Sequence, residues 1–253
     1  MKTIRRTAWM VVFCIHINPV FLHPADAHPA TEPFEKAKQA HDEGRFSDAI
    51  ALYQSILEQG YISDALLFNL GNAYYRLGEP GRAVLYYSRA SYLNPADPDI
   101  TYNLGFVQKT AGALSEDPGT YRRLAGRFTL STWIGWGIAF YWLACFGLGW
   151  SWIARRGAIL WRRLSLLLFL ALIVTGAGAA HWISLSIHPE VVVTEKDQEA
   201  LFAPLDGATA HFTAPQGTVG RQLDRRNGWI LVSVDENRGW LKESSLEAVY
   251  PLY

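Results

Sequence analysis

The apolar residues of this chain are unevenly spread. They gather into two long stretches free of Asp, Glu, Lys and Arg, Phe128 to Ala154 and Leu164 to Ile187. Each exceeds the roughly 20 residues that a helix rising about 1.5 Å per residue needs to cross a hydrocarbon core of about 30 Å. Ahead of them the pattern is that of amphipathic helices. From Glu35 to Glu43 charged residues alternate with Ala37 and Ala40, and Ala49, Ile50, Leu52, Tyr53, Ile56 and Leu57 mark one apolar face. Behind them the pattern becomes that of strands. Glu190 to Thr194 is β-branched, Ala210 to Phe212 is a short run, and Trp229 to Val234 is strongly strand-like, with turn residues at Asn227-Gly228 and from Asp235 to Gly239. The patterning predicts a multidomain chain: an all-α region, a two-helix membrane hairpin and a small all-β module.

The α region repeats itself. Gly44 recurs as Gly78, Ala49 as Ala83, Tyr53 as Tyr87, and Phe68-Asn69-Leu70-Gly71 as Tyr102-Asn103-Leu104-Gly105, each 34 residues later. A fixed period of this length signals stacked helix pairs. The middle copy, Asp64 to Asp97, carries Leu70, Gly71, Tyr74, Gly78, Ala83, Tyr87, Ala90 and Pro95, and so resembles the tetratricopeptide repeat. The resemblance implies that helices A and B of each pair approach closely at Gly71 and Ala83. Leu70, Tyr74 and Tyr87 then fill the space between them, and Pro95 stops helix B. Gly44 and Gly78 end the A helices as left-handed caps.

The neighbouring copies are less regular. The earlier one, from about Ala30 to Ser63, has Lys36-Ala37 in place of Leu-Gly and Tyr61 where proline is usual. The later one keeps Leu104-Gly105 and fades after Gly112. About two and a half units lie near the lower limit for such stacks, so a cover is expected, and a helix around Tyr121 to Leu130 is the candidate. The resemblance also implies a concave groove for a peptide, with Phe34, Lys38, Asn69, Asn72, Arg76, Tyr102 and Asn103 facing it. Asparagines there could bond a ligand's backbone, and Lys38 and Arg76 could meet a carboxylate. Alternatively, the asparagines bond their own backbone and the charges are solvated. The full set of basic residues of a carboxylate clamp is missing.

Charge refines the picture by its placement. Over 253 residues, 23 basic and 23 acidic side chains cancel, so no global field draws nucleic acid, and no nucleic-acid partner is expected. At the start, Lys2, Arg5 and Arg6 precede the apolar run Ala8 to Ile17, Pro19 and Ala25-Asp26-Ala27. That order predicts a signal peptide over 1–27, with a retained anchor as the alternative. Arg155, Arg156, Arg162 and Arg163 make the 155–163 loop cytoplasmic by the positive-inside rule. The spans are then 128–154 and 164–188. The repeat domain 28–115, the linker or capping helix 116–127 and the β module 189–253 fall on the extracytoplasmic side of the inner membrane. Arg122, Arg123 and Arg127, ahead of the first span, pull the other way.

The last hairpin, Gly228-Trp229…Val232…Val234 followed by Arg238-Gly239-Trp240-Leu241, resembles the bacterial SH3-like domain. The resemblance implies a small bent barrel in which Gly239 allows a tight turn and Trp229 and Trp240 fill or rim the interior. The early segment that shapes a ligand groove in that family is degenerate here, reading Ala200 to Leu205.

Chemistry is sparse. Cys14 and Cys145 both lie in apolar stretches, which leaves no disulfide framework and no thiolate metal site. The seven histidines are scattered, and no phosphate loop or nucleophile elbow is visible. His181, inside the second span, is either a proton relay or a neutral side chain near the interface. Neither catalysis nor a cofactor is expected. The order of parts resembles the BatE-type proteins of bacterial aerotolerance operons. That resemblance implies a scaffold in an envelope complex with von Willebrand factor A domain proteins and a MoxR-type ATPase. The alternatives are a cell-wall or cell-division accessory that holds peptidoglycan through the SH3-like module, and an enzyme regulator.

Overall fold

The computed structural model describes residues 31–113, 119–153 and 157–250. The signal peptide expected over 1–27, and Arg155 and Arg156, lie outside the described residues. Helices α1 (Thr31–Asp42), α2 (Phe46–Glu58), α3 (Asp64–Leu77), α4 (Pro80–Leu93) and α5 (Pro98–Ala111) come first. A short α6 (Gly119–Gly126) precedes the long apolar α7 (Leu130–Ile153) and α8 (Ala158–Ile187). Strands β1 (Glu190–Val193), β2 (Gln198–Leu201), β3 (Ala210–Ala214), β4 (Val219–Arg226), β5 (Trp229–Val234), β6 (Asn237–Lys242) and β7 (Leu246–Ala248) follow. They form one antiparallel seven-stranded sheet in the order β3-β2-β6-β5-β4-β1-β7.

Local chemistry sets the helix ends. Ser63 accepts a hydrogen bond from the Leu66 backbone at the start of α3, and Asp97 accepts from Asp99 and Ile100 at the start of α5. Pro80 and Pro98 occupy first-turn positions, where an amide would have no partner. Gly78 and Gly112 close α3 and α5 in the left-handed conformation, with φ of 84° and 65°. Within the middle repeat, a Cβ on Gly71 would lie 2.7 Å from Tyr87 Cδ1, so only glycine fits there. Tyr87 is fully buried, and its hydroxyl donates to Asn72 Oδ1 at 2.6 Å. Leu70, Ala83 and Ala90 are also fully buried, and Tyr74 nearly so.

The third repeat is different. α5 supplies its A helix, and no B helix pairs with it among the described residues. A Cβ on Gly105 would meet nothing within 4 Å, although the sequence there repeats that around Gly71. The outer side of α4, where a third pair would stack, is covered by the sheet. Val192 and Val249 join the repeat core, while Val191 and Val193 enter the core of the sheet. Valine on both faces of β1 is thus buried from two sides. A Cβ on Gly81 would lie 2.8 Å from the Thr194 carbonyl oxygen, and one on Gly217 would lie 3.1 Å from Val84. Arg89, largely buried, donates from Nη2 to the Ala248 carbonyl at 2.8 Å and so satisfies edge strand β7.

α7 and α8 pack as an antiparallel hairpin through small residues. Ala144, Ser151, Ser165, Thr175 and Gly178 are buried between the helices. Gly178 makes room for the Trp133 ring, whose atoms a Cβ would meet at 2.3 Å. Among the described residues these are the two helices long and apolar enough to cross a membrane. At about 36 Å and 45 Å by residue count, both exceed a hydrocarbon core of about 30 Å. α8 begins at Ala158, so Arg162 and Arg163, expected in the loop, are helical and exposed.

α6 leans on α8. Tyr121 donates to the Ala177 carbonyl at 2.6 Å, and the Trp133 and Trp182 indoles donate to Ala125 and Phe128, both at 2.9 Å.

In the sheet, Asn227 and Gly228 both take positive φ, as a two-residue hairpin between Arg226 and Trp229 requires. Gly239 corrects an expectation. It lies within β6 without a positive φ, and the turn before it is made at Asp235, whose φ is 52°. Glycine is needed at 239 because a Cβ would sit 2.7 Å from Ala200 Cβ.

Candidate functional site

The residues expected to face a groove separate into two groups. Several are committed to the fold. Phe34 turns its ring onto Tyr53, with centroids 5.7 Å apart. Asn72 accepts from Tyr87, and Asn103 donates to its own helix at the Asp99 carbonyl, 2.8 Å away. Arg76 lies over the Phe46 ring at 5.0 Å. These contacts favour local bonding of the asparagines over bonding to a ligand backbone. Lys38 is exposed on α1, and Asn69 is half-buried without a side-chain hydrogen bond to any described residue.

Tyr102 belongs to the second group. It is 72% exposed and stacks on Phe106, itself 46% exposed, with ring centroids 6.4 Å apart. Phe106 in turn meets Tyr75 of α3 edge-on at 5.9 Å. Three aromatic rings therefore bridge the A helices of the last two repeats and remain open on their outer side. Aromatic faces of this kind bury much area for little loss of rotamer freedom, which suits recognition of another chain. Tyr75 and Phe106 were not among the expected groove residues. The signal was present in the spacing, since Tyr75 follows Asn72 by three residues and Phe106 follows Tyr102 by four, which puts each pair on one helix face.

Residues 71–112 match the family model for the TPR repeat. The matched stretch runs from the Gly71 contact in α3 to the Gly112 cap of α5, and so includes Phe106, Tyr102 and Tyr75. No curated protein matches the chain. TPR repeats are protein-interaction architectures, and this one presents an uncovered aromatic face.

The β module places Trp229 and Trp240 differently. Each is only 8% exposed, and with Leu201 they form a small apolar cluster separate from the main sheet core. Lys242 covers the Trp229 ring at 5.5 Å and Arg226 covers Trp240 at 5.7 Å. Both indoles are therefore buried and covered by a cation. Among the described residues no group of three His, Cys, Asp or Glu could hold a metal ion.

Proposed function

We propose that the protein is a non-catalytic, membrane-anchored scaffold that grips a partner protein on the Tyr75–Phe106–Tyr102 face. The single observation that carries this reading is the aromatic ladder left open on the TPR repeat while the opposite side of the same repeat is sealed by the sheet. α7 and α8 serve as the anchor. The direct packing of α4 on β1 supports one and the same side of the membrane for the repeats and the sheet, which a two-span hairpin requires. Arg155, Arg156, Arg162 and Arg163, near the α7–α8 end of the hairpin, favour a cytoplasmic tip and an extracytoplasmic location for both modules, after export by a cleaved signal peptide.

In the finer form of this reading the β module is an SH3-like domain, and the protein is of the BatE type. It would steady an envelope complex of von Willebrand factor A domain proteins served by a MoxR-type ATPase. Crosslinking in native membranes followed by mass spectrometry tests the scaffold role. The wild type is expected to capture a defined partner, and Tyr102→Ala with Phe106→Ala is expected to lose it while folding normally. Unchanged capture by that double variant would remove the assigned face from the function. Retention of residues 189–253 on purified sacculi would instead favour the peptidoglycan reading.

A further inference from the structure

The repeats, the hairpin and the sheet meet around a cavity of about 330 Å³. That volume lies within the range of small-molecule sites, about 300–1,000 Å³. One wall comes from α4 and α5 and sets Ser88, Ser91 and Gln108 among Tyr92, Pro95 and Leu104. None of the three polar side chains hydrogen-bonds a described residue, although Ser88 is only 8% exposed. The facing wall is Trp182 and Leu185 of α8. Glu190 and Arg221, opposed across β1 and β4, add one charge of each sign at the border.

The depth of this cavity follows from counting residues. A helix that enters the hydrocarbon at Leu164, just beyond Arg163, covers about 30 Å in about 20 residues and leaves it near Ile183. Trp182 and Leu185 thus stand at the level of the outer headgroups. Glu190 and Arg221 offset each other in the lining, and the exposed Arg127 directly follows Gly126, which also borders the cavity. An exposed arginine on the outward side runs against the usual orientation bias and calls for a reason. An anionic headgroup supplies one.

We propose that this cavity holds the headgroup of a phosphatidylglycerol-class phospholipid from the outward leaflet. This rests on the membrane-spanning reading of α7 and α8. The phosphate sits at the mouth beside the exposed Arg127, and the acyl end runs along Trp182 and Leu185. The headgroup hydroxyls reach Ser88, Ser91 and Gln108. Those three groups both donate and accept, which matches an alcohol. An ammonium group only donates, and a choline group does neither.

The test uses the full chain, reconstituted in phosphatidylcholine vesicles alone or doped equally with phosphatidylglycerol or phosphatidylethanolamine. Flotation reads insertion, and native mass spectrometry after mild detergent extraction reads the lipid retained. Phosphatidylglycerol is expected to be retained over either other lipid by about fivefold or more, and Arg127→Gln to reduce that preference by about fivefold. Gln108→Leu with Ser91→Ala is expected to abolish retention while the protein still floats and melts as the wild type does. Equal retention of all three lipids, or undiminished retention by the folded double variant, overturns the proposal. Should the double variant fail to fold, Arg127→Gln alone decides, because that side chain is exposed. A chain that floats but retains no lipid loses this site only, whereas a chain that does not float loses the membrane reading as well.

Discussion

Leu70-Gly71 and Leu104-Gly105 are the same dipeptide at the same phase of a 34-residue repeat, yet they live in different surroundings. The first pair is sealed between α3 and α4, where Tyr87 presses on Gly71. At the second, Leu104 is half-buried beside the junction cavity and Gly105 faces open space. The difference is that no B helix pairs with α5 among the described residues. A repeat signature specifies which surface a helix offers its partner, and it leaves open whether that partner exists. Here the sheet covers α4 in place of a third pair, and the aromatics of the A-helix face stay exposed.

Five substitutions would break or sharpen this contrast. The largest effect is expected from Leu70→Ala, which empties a fully buried site and should cost about 3–5 kcal/mol in chemical denaturation. Leu104→Ala, at a half-buried position, should cost less than half as much; equal losses would mean the third repeat is as closed as the second. Next, Gly71→Ala should destabilise by about 1–3 kcal/mol, because the new methyl group meets the Tyr87 ring. Gly105→Ala should do the reverse and raise the melting temperature, by about 0.5–1 kcal/mol of helix propensity in open space.

The smallest effect at neutral pH concerns Tyr53, which holds in the first repeat the place of Tyr87 in the second. Its hydroxyl is buried without a partner, and burial, aided by the carboxylates of Asp42 and Glu35, pushes its pKa up to about 12. The unfolded chain releases this proton near pH 10, so stability is full below that value and falls as pH rises from about 10 to 12. Tyr53→Phe should flatten the alkaline limb of the stability–pH curve. An unchanged limb would assign it to other tyrosines.

Much of this architecture was legible in the chain. The apolar runs gave the hairpin, the period gave the helix pairs, and Asn227-Gly228 gave a two-residue β turn. What escaped has a physical reason in each case. β4 reads Val-Gly-Arg-Gln-Leu-Asp-Arg-Arg, with little alternation, and its register shifts between Gln222 and Asp224. Its strand character comes from pairing with β1 and β5 rather than from its own residues. Gly239 looked like a turn residue because glycine usually serves φ, whereas here it serves a close approach. Tyr75 and Phe106 form a surface only once two A helices lie side by side. The junction cavity needs three separate parts of the chain, and periodicity within any one part is silent about it.

The bond from Arg89 to the Ala248 carbonyl joins residues 159 positions apart. A chain made amino end first therefore presents the uncovered flank of α4 long before its cover exists, with two long apolar helices still to be made in between. Maturation has a fixed last step, and until it occurs the helical array is sticky on the side meant to be silent. A polypeptide cut short after the hairpin would be left in that unfinished condition, prone to clumping and open to quality-control proteases.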